Sequence, residues 1–220
     1  MRRRTALCGL AAPVLLAGGC ANPPTSRVDT SLFPRGAVQP PSRTPGRVAV
    51  LLRPPFSELE VRGESGPAHQ MIVPIGRIVG QALTLAADDS FAGGAQPIDT
   101  PAPLGAGHSA TLSLDGAWAH YHSRLRWLIP LPLPMGGIGD MDLDVEVGFD
   151  IGLIDPQGQP VWQRSYHSGA LLWEHSWGEY KNAPEGLLRQ THQAAWQIAQ
   201  QAVADLRAWV LADRLRPREL

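Results

Sequence analysis

Cysteine is nearly absent from this chain. Only Cys8 and Cys20 occur in 220 residues, so everything after position 20 must fold without a disulfide. A long apolar run is also missing. The stretch from Ala6 to Ala17 falls well short of the roughly 20 residues that span a bilayer. An excess of positive charge is absent too. With 19 Lys and Arg against 20 Asp and Glu, the formal net charge is −1, which leaves no broad basic footprint for nucleic acid. No phosphate-binding loop, dinucleotide fingerprint or metalloprotease helix motif occurs. These absences leave a single core-stabilised domain outside the nucleotide and nucleic-acid classes.

What is present begins with a basic cluster, Arg2, Arg3 and Arg4, followed by a short apolar segment and small residues. This is the composition of a secretory signal, which is set aside before reasoning about the fold. Its end, Leu16-Ala17-Gly18-Gly19-Cys20, resembles the lipobox of bacterial lipoproteins, with Ala17 where that pattern usually has Leu. The resemblance implies cleavage before Cys20 and acylation of its sulfur and new amino group. Ala21 follows where Asp would be the usual cue for inner-membrane retention, so the resemblance also implies the periplasmic face of the outer membrane. Each buried methylene of the acyl chains adds roughly 0.8 kcal/mol to anchoring. Removing the three signal arginines takes the formal net charge from −1 to −4.

Composition divides the rest. Residues 1–19 are the signal. Residues 20–46, rich in Pro and Ser, read as the lipidated cysteine and an extended tether. Residues 47–213 read as one α+β domain and 214–220 as a tail. The first strand is Arg47 to Arg53, stopped by Pro54-Pro55. Residues 56–70 read as a polar loop. Ile75, Ile78, Val79, Ala82, Leu83 and Ala86 have helical spacing behind Pro74. Residues 92–109 read as a second long loop.

Alternation then dominates. In 117–129 the odd positions are mostly apolar, while His120, His122, Arg124 and Arg126 are polar. In 143–153, Leu143, Val145, Val147, Phe149, Ile151 and Leu153 alternate with polar residues and glycine. One face is core and the other wet. Asp155-Pro156-Gln157-Gly158 is a turn into a partner strand, Val161 to His167. Asn182, Pro184 and Glu185 open a last, longest helix striped by Leu187, Thr191, Ala194, Ala195, Ile198, Ala202, Leu206, Trp209 and Val210. The expected order is β-α-β-β-β-α, an antiparallel or mixed sheet with two main helices on one face.

Chemistry-bearing residues are few. Gly107-His108-Ser109-Ala110-Thr111 resembles the nucleophile elbow of α/β-hydrolases, but Thr111 replaces its last glycine. A hydrolase would pair Ser109 with a histidine such as His120; a plain loop serine is the simpler reading. His120 and His122 share a strand face and need a third ligand, His167 or Glu146, to hold zinc. Arg124 and Arg126 on that face oppose a cation, and no metal, cofactor or catalytic residue is expected. If the strands are neighbours, the basic row of one faces Asp144, Glu146 and Asp150 of the other. That pattern fixes register or forms a charged docking groove. Trp173, Trp177 and Tyr180 could instead bind glycan or pack beneath a loop.

The segment Leu128-Ile-Pro-Leu-Pro-Leu-Pro-Met-Gly-Gly-Ile-Gly139 is as apolar as a core strand but carries three prolines, which a central strand does not tolerate. It reads as a hairpin connection folded on the core, an arm that docks a partner or second copy, or a segment dipping into lipid. Stiff Pro-x-Pro chain suits an arm. Leu131, Leu133, Met135, Ile138, Trp173 and Trp177 are the candidate partner-docking residues, and Cys20 is the lipidation site.

The lipobox, the Pro-rich segment, "RVAVLLRPP", a helix, "DVEVGFDIGLIDPQGQPVWQRSYHSG" and a long last helix together resemble small envelope lipoproteins with a domain similar to the N-terminal domain of TolB. These include YajG-like proteins, auxiliary lipoproteins of ABC-type lipid transporters and PelC-like polysaccharide-export lipoproteins. The resemblance spans residues 46–213. It implies a non-catalytic accessory role in transport or assembly of envelope components, with an envelope protein or a second copy as partner.

Overall fold

In a computed structural model the described residues are 25–35, 42–64, 70–101, 108–130, 137–155, 157–175 and 183–214. The apolar run after Gly46 forms β1 (Arg47–Leu52), buried on both sides of the sheet: Val48 and Val50 join the main core, and Ala49 and Leu51 are also covered. Pro54 and Pro55 end it, and a 3-10 turn, Phe56–Glu58, follows. The segment expected to be a polar loop instead holds an antiparallel pair, β2 (Val61–Glu64) and β3 (Gln70–Val73). Neither strand alternates cleanly, so periodicity could not have found them.

Helix α1 (Ile75–Ser90) begins directly after Pro74, as the spacing predicts. Its apolar stripe, including Ile75, Ile78, Val79, Ala82 and Leu83, is fully buried. The expected loop at 92–109 contains β4 (Ala95–Ile98), parallel to β1. β4 escapes sequence reading because it is short and carries Pro97. A proline is tolerable there because β4 is an edge strand.

The two alternating segments form β5 (His108–Pro130) and β6 (Gly137–Ile154), paired antiparallel along almost their whole length. β5 also pairs parallel to β1 through its first residues, as far as Leu114. The turn after β6 is closed by Asp155, whose carboxylate accepts from the Gln157 and Gln159 N–H groups, with Gly158 at positive φ. β7 (Pro160–His167) returns along β6, and β8 (Leu171–His175) continues along that same edge of β6. The sheet order is β4-β1-β5-β6-β7, with β8 also paired to β6, along Met141 to Val145.

Helix α2 (Ala183–Arg214) is the longest helix and lies with α1 on one face of the sheet. Leu187, Thr191, Ala194, Ala195, Ile198, Ala202, Leu206 and Val210 of the expected stripe are buried, and Trp209 is partly buried. Polar bonds lock α2 to the sheet. Thr191 donates to Leu187 O, so its oxygen is left to accept from the Tyr121 hydroxyl at 3.2 Å. Burial pushes that phenol up to about 12. Further along, Asp205 accepts from Tyr166 at 2.8 Å and pairs with Arg164. The architecture is α+β: a mixed six-stranded sheet, a two-stranded sheet and two helices.

Candidate functional site

The sheet face turned away from the helices carries the polar rows of β5 and β6. Their register sets His120 opposite Glu146, His122 opposite Asp144 and Arg124 opposite Asp142. Arg124 reaches diagonally to Asp144 at 3.6 Å, and His167 of β7 lies 3.9 Å from Glu146. The basic row does face the acidic one. The side chains are largely exposed, so each pair contributes at most about 1 kcal/mol and mainly selects the register. Among the described residues no group of three or more His, Cys, Asp or Glu side chains could hold a metal ion, so His120 and His122 find no such third ligand there.

Beside this row the Trp118 ring covers Gly148, its cross-strand partner, and lies 4.9 Å from the His120 ring. A Cβ at position 148 would sit 2.2 Å from the indole. Gly148→Val should therefore destabilise the fold by about 1–3 kcal/mol. Urea denaturation with Trp fluorescence would measure both the loss and the displaced indole; an unchanged midpoint would mean that Trp118 does not rest there.

The proline-bearing stretch is partly strand. Leu128 to Pro130 finish β5 and Gly137 to Gly139 begin β6, with Ile129 opposite Ile138 and Pro130 opposite Gly137. Proline fits because β1 leaves β5 after Leu114 and β8 reaches no further along β6 than Met141. From Trp127 to Pro130 the ribbon is two-stranded among the described residues, so Pro130 lies on an edge where its missing N–H deprives no third strand. Leu131, Leu133, Met135, Trp177, Tyr180 and Cys20 lie outside the described residues. Trp173 is in β8, paired in register with Leu143.

Ser109 sits in β5, not at a strand-to-helix turn, and its hydroxyl bonds the Pro45 carbonyl at 3.5 Å. His120 is eleven residues further along the same strand, about 36 Å at 3.3 Å per residue. The structure does not bring this pair together.

What sequence reasoning missed is a docked N-terminal strap. Residues 25–35 fall within the segment read as a tether, yet they lie against the body. Ser26 N–H donates to Ile72 O at 2.8 Å, and Thr25 forms a bridge with Ile72. Phe33 is 4 % exposed, its ring 4.9 Å from His192 and 5.9 Å from Trp196. Arg35 pairs with Asp89. Further on, Thr44 bridges Phe91 and accepts from Arg207 at 2.9 Å. The one local signal was Phe33 itself, a large apolar residue in a polar, proline-rich segment.

His192 is the titratable group beneath this strap. Its Nδ1 lies 2.7 Å from Leu188 O, which can only accept, and its Nε2 faces the Asp29 N–H at 3.3 Å, which can only donate. The ring is therefore the neutral Nδ1–H tautomer. Burial holds its pKa below the ordinary 6.5, against the Leu188 carbonyl and the Asp29 carboxylate. Below pH 6.5 the unfolded chain binds this proton more readily than the folded one. Stability is thus intact above 6.5 and falls as the solution is acidified. Unfolding midpoints at pH 7.5 and 5.5 should show this slope, and His192→Gln should flatten it.

No protein-family model and no curated protein matches the chain. Among solved structures, it is similar to a minor lipoprotein from Acinetobacter baumannii at 14 % identity and TM-score 0.34, covering 74 % of this chain and 93 % of that one. Rare lipoprotein B from Shewanella oneidensis aligns at 12 % identity and TM-score 0.37, over 77 % and 99 % of the two chains. A homologue of the neuraminyllactose-binding haemagglutinin from Helicobacter pylori aligns at 8 % and TM-score 0.45, over 82 % and 96 %. Likeness at this level bears on neither activity nor partner. Among the described residues, no helix is long and apolar enough to cross a membrane.

Proposed function

We propose that the chain is an envelope lipoprotein, acylated at Cys20 and held on the periplasmic face of the outer membrane. Its role is that of a non-enzymatic accessory subunit in a system that transports or assembles lipid or polysaccharide. The lipobox-like LAGGC supports the anchoring. One structural observation carries the accessory role: the β5–β6 ribbon runs past the last residues that pair with β1 or β8. A two-stranded ribbon is marginal in water by itself, and this one includes Leu128, Ile129 and Ile138. Burial against another envelope protein would supply what the ribbon's own fold does not.

The test removes Pro130 to Pro134. The expected protein keeps its melting temperature within a few degrees, because Pro130 ends β5, thirteen residues beyond the Ala117 that pairs with Phe149. It should also lose the crosslinked envelope species that a photoreactive side chain at Leu133 gives in the intact chain and one at Gln157 does not. Global unfolding of the deletion variant would refute the docking role.

A further inference from the structure

The strap runs in a definite direction. Thr25 is joined to Ile72, Asp29 to His192, Phe33 packs on His192 and Trp196, and Arg35 reaches Asp89 at the end of α1. It therefore follows α2 in the same sense, from its first half downward. The first half of α2 lies beside the middle of β5, through the Tyr121–Thr191 bond and through Gly63 of β2, which packs against Leu187. The last turns of α2 lie by Thr44, where β1 and β5 begin. Traced backward from Asp29 to Thr25, the chain leaves the body at the end from which the ribbon projects.

Only four residues separate Cys20 from Thr25, five Cα–Cα steps with a reach of at most about 18 Å. A tether running undocked from Cys20 to Gly46 would reach about 90 Å. We propose that the short segment after Cys20 holds the body close to the membrane, with the β2–β3 end turned toward the headgroups, the ribbon that projects there meeting its partner at the bilayer, and the turn at Asp155–Gln159 facing away. This rests on the acylation of Cys20 proposed above. The end nearest the anchor presents the exposed guanidiniums of Arg27, two residues after the strap meets β3, and of Arg62, paired with Ile72 in the hairpin. Exposed Glu60 and Glu185 lie at the same end, so the short reach from Cys20 and not net charge carries the apposition. The opposite end is remote: β6 alone carries from Leu143 to Ile154, eleven residues or about 36 Å.

The acylated chain should be tested whole, in vesicles of three parts phosphatidylethanolamine to one part phosphatidylglycerol. Since an acylated Cys20 leaves no free thiol after the signal, Arg62→Cys and Gln157→Cys each take one fluorophore. Energy transfer to a headgroup acceptor is expected to be at least twofold more efficient from position 62. A 20-residue Gly-Ser insertion between Asn22 and Pro23 leaves the strap docked and should abolish the difference. Equal transfer from both positions in protein that floats with the vesicles would overturn the apposition and leave the lipoprotein reading standing. Protein that fails to float, with Cys20 unmodified by intact mass, would overturn the lipoprotein reading itself.

Discussion

Replacing Phe33 by alanine is expected to cost the folded body about 3–5 kcal/mol, the range for emptying a well-packed aromatic site. The ring belongs to the same buried cluster as Phe91, Ile198 and Leu206. It also roofs His192 and Trp196, so its loss opens the strap as well as the core. Urea denaturation would show the fall in midpoint. Limited proteolysis would show the second effect, with Arg35 becoming cleavable before the body unfolds. Were residues 25–35 an undocked tether, the substitution would change stability by no more than about 0.5 kcal/mol. A shift below 1 kcal/mol would contradict the packed strap.

The second large effect is at Gly76, the second residue of α1. Alanine is the better helix former by about 1 kcal/mol, and propensity alone predicts a gain. Tertiary structure reverses the sign. A Cβ there would lie 2.0 Å from the Phe56 carbonyl oxygen and 2.8 Å from the Ser57 carbonyl carbon. Both are backbone atoms of the turn after β1, and Gly76 N–H donates to Leu59 O at 3.0 Å, so that turn cannot retreat without losing its bond to the helix. Gly76→Ala should destabilise by about 3 kcal/mol, the upper part of the overpacking range. Gly80→Ala in the same helix is the control. Its Cβ would meet only the end of the Leu52 side chain, at 3.0 Å, which can rotate away. If both variants unfold at the same denaturant concentration, the close approach at Gly76 is wrong.

These two positions mark where local reading stops. The alternation from Leu143 to Leu153 specified a strand and its buried face; that the acidic row faces the basic one followed only if the two strands were neighbours, and the structure makes them so, with His120 opposite Glu146 and His122 opposite Asp144. Helix α1 was legible because Pro74 and an apolar stripe coincide, and α2 because its stripe repeats over many turns. β2, β3 and β4 were not legible, since strands of four residues are too short to show a period, and Arg62 and Pro97 interrupt two of them. The proline-bearing stretch was half legible. Proline rules out a central strand, but whether a third strand lies alongside is a property of the sheet.

By itself, then, the sequence determined an α+β body without disulfides, its main helices and strands, and the position of its lipobox-like cysteine. All of these depend on periods and motifs a few residues long, which local geometry enforces wherever they occur. Only the tertiary structure decided that Phe33 is core, that His192 lies neutral beneath Asp29, and that residues 25–35 dock on the body. Those outcomes rest on partners 163 residues apart, as in Asp29–His192 and Thr44–Arg207. The burial energy of such contacts exists only once the chain has brought both ends together.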